Sequence, residues 1–157
     1  MKKNSKEALQ WIIKILRTQR IPFRITGGLA ANSYSSKRKL FDIDIDIPDK
    51  ALISLVPLFK NDKIIGPKHY HDPEWDVNYI SVDYYGLPID LIGSDSQKIF
   101  NKNTKQWEDF KINFSNVKKK KMFGCFVPVI SKMELIDYKA KIKRKVDLLD
   151  LQFLSRT

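Results

Sequence analysis

Cysteine is almost missing from this chain. Cys125 stands alone among 157 residues, so no internal disulfide can form. That usage suits a reducing, cytoplasmic setting. Long apolar runs are missing too. None reaches the roughly 18 residues that a bilayer-spanning helix needs, so no membrane span is expected. The opening Met1-Lys2-Lys3-Asn4 is polar and lacks the apolar stretch of a secretory signal. Low-complexity linkers and internal repeats are absent, which leaves a single domain over residues 1–157 as the expectation. Acidic residues are outnumbered 18 to 29 by lysine and arginine. The resulting net charge of +11 favours polyanions such as nucleotides or RNA, unless it is plain lysine bias. A hydrophobic share of 43% is enough for a core and excludes a disordered chain.

The pattern of elements reads as α/β (α+β), a mixed β-sheet flanked by helices. Residues 5–20 carry Ala8, Leu9, Ile12, Ile13 and Leu16 at helical spacing. A short strand over 23–26 runs into Gly27-Gly28, and 29–35 suits a short helix. Residues 40–47 alternate as a strand, and 51–59 read as a helix. Gly66 to Pro73 is expected as a loop from its turn residues. Residues 77–84 and 87–92 flank Tyr85-Gly86 as a hairpin. Residues 93–109 are polar with some helical character. Residues 110–114 and 122–127 are expected as a strand pair joined by the lysine run 118–121. Ser131 with Glu134 forms a capping-box pattern for a helix through Lys143. A last helix covers 146–154, with Val146, Leu149 and Phe153 on one face.

In a chain short of acid, one row of it stands out. Asp42-Ile43-Asp44-Ile45-Asp46 puts three carboxylates on one face of a strand and two isoleucines on the other. Like charges side by side are costly, and strands disfavour aspartate. Divalent metal such as Mg²⁺, a hard cation that takes carboxylate oxygens, is the natural neutraliser. Upstream, a strand ending in Gly27-Gly28 and entering a helix lets the backbone approach a phosphate closely.

This combination resembles the nucleotidyltransferase superfamily of the DNA polymerase β type. The shared pattern is Gly-Gly, a gap from Leu29 to Phe41, then Asp42-Ile43-Asp44-Ile45. Arg38, four residues before Asp42, matches small stand-alone members, whereas Leu40 replaces a frequent threonine. A third family carboxylate on a later strand is matched by Asp90 within Leu87-Pro88-Ile89-Asp90-Leu91-Ile92, with Asp83 as its rival. The segments 127–139 and 144–150 are similar to parts of small antibiotic nucleotidyltransferases and abortive-infection-type toxins, with Lys139 as the family's helix lysine.

The resemblance implies transfer of a nucleoside monophosphate from an NTP, ATP among them, to an acceptor hydroxyl with release of pyrophosphate. Two Mg²⁺ ions would be held by Asp42, Asp44 and Asp90. Gly27, Gly28 and a hydroxyl from Ser35 or Ser36 would cradle phosphates, and Arg38 and Lys139 would supply positive charge. Asp46 is secondary, either a spare ligand or solvated. The acceptor would be a small molecule, a tRNA or other RNA, or a protein side chain, and a homodimer could complete the site. The alternative is an inactive nucleotide- or RNA-binding module or a toxin–antitoxin component on the same fold.

Other residues read more blandly. His69 and His71 suit a solvated loop better than zinc. Trp75, Tyr79, Tyr84 and Tyr85 suit packing better than base stacking. Cys125 suits a small buried hydrophobe.

Overall fold

The computed structural model of the chain describes residues 5–156; Met1–Asn4 and Thr157 lie outside them, so the polar N-terminal residues are not placed. The first helix, α1 (Ser5–Thr18), buries the apolar stripe read from the sequence. Strand β1 (Arg24–Thr26) leads directly into α2 (Gly27–Tyr34). Strand β2 (Ile43–Ile47) follows, then α3 (Asp49–Ser54) and a 3-10 turn (Val56–Phe59), where the apolar spacing predicts one continuous helix. Pro57 accounts for the break. It sits in the first turn of the 3-10 segment and has no amide to donate to a continuing helix.

The remaining strands are β3 (Lys63–His71), β4 (Trp75–Tyr84), β5 (Leu87–Gly93), β6 (Lys98–Asn101), β7 (Gln106–Asp109), β8 (Val117–Met122) and β9 (Cys125–Ile130). Helices α4 (Lys132–Ile142) and α5 (Lys145–Leu154) complete the order. The described strands form one mixed sheet in the order β7-β6-β4-β5-β2-β1-β9-β8, with β3 on β4. Tyr79 pairs with both Lys68 of β3 and Ile92 of β5, so β3 lies on the edge of β4 opposite β5. Ile43, Ile45, Ile89 and Leu91 face the buried core with α1, as alternation demands.

Four expectations are corrected. Residues 66–71 belong to strand β3, not to a loop; the register shifts between Ile65 and Lys68, so Gly66-Pro67 make a bulge in a continuing strand. The polar stretch 93–109 contains the β6–β7 hairpin. Residues 110–114 form no strand, and the lysine run is itself edge strand β8, paired to β9. On α5, Asp147, Asp150 and Leu154 are buried, while Val146 and Leu149 are exposed. The apolar periodicity points outward because the two aspartates have buried cationic partners.

Candidate active site

Strand pairing collects the carboxylates. Asp44 lies opposite Asp90 in the parallel β2–β5 pair and opposite Thr26 in the antiparallel β1–β2 pair. Asp42 precedes β2 by one residue on the same face. One carboxylate oxygen from each of Asp42, Asp44 and Asp90 lies within 4.8 Å of the others. Burial pushes the Asp44 carboxyl well above its ordinary value, and the charges of Asp42 and Asp90 push it further. Burial likewise raises Asp42, against Arg38 and Arg144, and raises Asp90, against a hydrogen bond from Ser81. Three half-buried oxygen ligands that repel each other are what a hard divalent cation fits.

Asp83, the rival third carboxylate, sits at the far end of β4 opposite Pro88 and accepts from the Gly86 amide. Asp46 shares the carboxylate face but has its own partners. It accepts from Arg24 Nε at 2.8 Å and Gln97 Nε2 at 2.8 Å. Arg24 is fully buried and also donates to Glu134 at 2.6 Å. Asp46 is therefore part of the framework beneath the site, neither a spare ligand nor solvated.

The carboxylates open into a cavity of about 470 Å³. Thr26, Gly27 and Arg144 border it with the acidic cluster, and Trp75, Phe110 and Tyr138, packed edge to face on one another, line it as well. Gly27 has φ +63°, and a Cβ there would collide with the Asp44 carboxylate. Only glycine lets the chain turn from β1 into α2 with that carboxylate packed against it. A Cβ on Gly28 would meet Arg38 and Leu40.

These features sit in a known frame. No protein-family model and no curated protein sequence matches the chain. Solved structures do. A Thermotoga maritima protein assigned to the nucleotidyltransferases superposes with a TM-score of 0.69 at 16% identity, over 94% of this chain and 92% of that one. This chain has the nucleotidyltransferase fold. The lincosamide antibiotic adenylyltransferase LnuA, solved with lincomycin, gives 0.64 at 15% identity over 96% of each chain. The antibiotic-resistance factor ANT(2'')-Ia in solution gives 0.67 at 13% identity, over 99% of this chain and 85% of that one.

Within this nucleotidyltransferase fold, the residues expected around the phosphates divide into two groups. Gly27 borders the cavity. Gly28 and Arg38 lie just behind, with Arg38 Nε donating to Asp150 at 2.9 Å. Ser36 donates to Asp150 at 2.7 Å and Ser35 to the Phe153 carbonyl at 3.1 Å, so both hydroxyls are engaged with α5. Lys139 is fully buried, 3.0 Å from Asp147 and 3.1 Å from Asp150. Burial opposes its charge, but the facing Tyr138, Asp147 and Asp150 outweigh that and hold it above its ordinary value.

The cation that does border the cavity is Arg144. Asp147 accepts from its Nε at 2.8 Å, its Nη2 at 3.2 Å and its backbone amide at 3.0 Å. Lys139 thus neutralises two buried aspartates, one of which aims Arg144 and the other Arg38. In the sequence Arg144 stands in the basic cluster before Asp147 and in the matched segment 144–150, with no role at the nucleotide assigned to it. Its position at the cavity depends on α4 and α5 folding over the sheet.

The other candidates lie elsewhere. His69 and His71 face Asp76 at 3.0 and 3.3 Å on the opposite side of β3 and β4 from the cavity. Of the aromatics, Trp75 and Tyr79 line the cavity, while Tyr84 packs on Trp11 and Tyr85. Cys125 is partly buried against the core. Among the described residues, no helix is long and apolar enough to cross a membrane.

Proposed function

We propose that this chain is a metal-dependent nucleotidyltransferase that moves a nucleoside monophosphate from an NTP to an acceptor hydroxyl and releases pyrophosphate. The observation that carries this reading is the convergence of Asp42, Asp44 and Asp90 within 4.8 Å beside the positive-φ Gly27. Two Mg²⁺ ions held by the three carboxylates would supply Lewis-acid stabilisation of the phosphate oxygens. ATP is the nucleotide proposed first, because LnuA is an adenylyltransferase. The free thiol of Cys125 is compatible with the cytoplasm, where nucleotide is plentiful.

The chain's own residues would divide the work. Gly27 and Gly28 bring the first amides of α2 to the triphosphate. Arg144, fixed by Asp147, sets positive charge against the phosphate oxygens as charge builds on them. Arg38 adds charge from behind Gly28. Lys139 and Ser36 act through Asp147 and Asp150 and do not touch the nucleotide. Asp90 takes the acceptor proton as the new oxygen–phosphorus bond forms and the bond from the α-phosphorus to the bridging oxygen breaks.

The test is incubation with Mg²⁺ and each labelled NTP, together with RNA and small hydroxyl acceptors, following pyrophosphate release and label transfer. Transfer that vanishes in Asp42→Asn/Asp44→Asn is the expected result. NTP and metal binding unchanged by that double substitution would sink the reading.

A further inference from the structure

The carboxylate face of the sheet does not stop at the acidic cluster. Register carries one row across five strands: Thr26, Asp44, Asp90, Ser81, Ile65. The next row runs Asp46, Ile92, Tyr79, Lys68. Acidic side chains give way along both rows to hydroxyl, aromatic and aliphatic ones, and the second row ends in Lys68. With strands about 4.8 Å apart, the floor extends roughly 10 Å beyond Asp90 onto β4 and β3. That extension is floored by Ile92, Tyr79, Val77, Ile65 and Tyr70, all lining the same cavity as the carboxylates. Ile65 is 53% exposed and Tyr70 42% exposed. An apolar floor left open beside a charged cluster is a binding surface in want of an occupant.

Charge narrows the occupant. The two acidic side chains of the cavity outside the triad are already satisfied. Asp46 is held by Arg24 and Gln97. Asp72 accepts from the Tyr70 hydroxyl at 2.7 Å, the Glu74 amide at 2.8 Å and the Trp75 amide at 2.6 Å. Among the described residues lining the cavity, no carboxylate is left over to hold a polycationic aminosugar. The one cation of these two rows, Lys68, is exposed and outside the cavity lining, with its ammonium 6.0 Å from the Tyr79 ring centre. One exposed lysine is not the row of cations that a nucleic-acid strand needs. The lysines of β8 lie beyond β2, β1 and β9 on the other side, away from this floor.

We propose that this extension is the acceptor subsite, and that the acceptor is an uncharged small molecule with a planar or apolar face packed on Tyr79, Ile65 and Val77 and a hydroxyl directed at Asp90. The inference rests on the transfer reading above, but its test does not depend on turnover. Neutral aryl glycosides, polycationic aminosugars and a single-stranded RNA oligomer are titrated separately into the full chain without nucleotide. Methyl signals of Ile65, Val77 and Ile92 are followed by NMR. The neutral aryl glycosides shift those methyls, and Tyr79→Ala weakens their binding at least tenfold; Ile65→Asn serves as the second variant should the first misfold. Shifts from the aminosugars or the RNA in place of the aryl glycosides overturn the proposal, as does no shift at all or no loss in either folded variant. Mn²⁺ binding at Asp42, Asp44 and Asp90 is measured in parallel. Absence of metal binding with aryl glycoside binding present would defeat the transfer reading alone, and the reverse would defeat the acceptor assignment alone.

Discussion

Lys139 and Asp147 form a fully buried ion pair, Nζ to Oδ1 at 3.0 Å, and the pair lies behind Arg144 instead of facing the cavity. The lysine expected to meet phosphate is thus an internal counter-charge. Lys139→Met leaves Asp147 and Asp150 buried without it. Breaking a buried pair from one side costs about 3–5 kcal/mol. Urea unfolding of the variant is expected to show a loss of that size. A loss under about 1 kcal/mol would mean that the two arginines suffice to neutralise both aspartates.

Asp44 and Asp46 are two residues apart on one face, yet their substitutions are expected to act in opposite directions. Asp44→Asn relieves repulsion in a buried cluster, so the metal-free protein gains on the order of 1 kcal/mol. It also loses its response to Mn²⁺. Asp46→Asn takes one of the two carboxylate partners from buried Arg24, leaving Glu134, and costs about 3 kcal/mol. Thermal melts with and without Mn²⁺ separate the two. Equal signs in the metal-free melts would contradict the assignment of Asp46 to the framework.

Gly27→Ala tests the close approach of backbone and carboxylate. The added methyl must displace Asp44 and strain a residue at φ +63°. Mn²⁺ affinity is expected to fall at least tenfold, which is about 1.4 kcal/mol. Gly86→Ala, at φ +87° with open space around its Cβ, is the control for backbone strain alone. Similar metal affinity in both variants would remove the steric argument.

Acid lability should trace to Asp147. Burial alone would raise its carboxyl, but hydrogen bonds from Arg144 and the charge of Lys139 outweigh it and leave it below its ordinary value. On acidification the unfolded chain therefore takes up the proton first. The stabilisation is complete above the ordinary value of about 3.9 and is lost as pH falls through the lower folded value. Stability curves from about pH 6 down to about pH 2 are expected to flatten in Asp147→Asn relative to the unchanged protein. An unchanged acid limb would assign the lability to other carboxylates.

The readable parts of the sequence are those where local pattern and tertiary role agree. Ile43 and Ile45 alternate with Asp42, Asp44 and Asp46, and the strand sits as that alternation demands. The Tyr85-Gly86 turn makes its hairpin. Elsewhere tertiary partners override the pattern. Gly66-Pro67 has the composition of a loop, but pairing with β4 continues on both sides of the bulge. Lys118 to Lys121 carry no apolar signal, yet their backbones pair with β9, and unpaired sheet edges favour lysine. Asp147 and Asp150 have the spacing of a solvent face on α5 because the lysine that neutralises them lies on another helix. Arg144 falls in the matched segment 144–150, but its place at the cavity is set by Asp147 and by the packing of α5, which the sequence does not display.

The pairing of β1 has a consequence for synthesis. Its neighbour on one side is β2, but on the other it is β9, through Ile25 and Val129. A nascent chain therefore holds its acidic strand long before it holds the second neighbour of β1, the Tyr138 wall or the Arg144 charge. A product interrupted before α4 therefore carries the acidic motif intact but lacks the part of the cavity lining that Tyr138 and Arg144 supply.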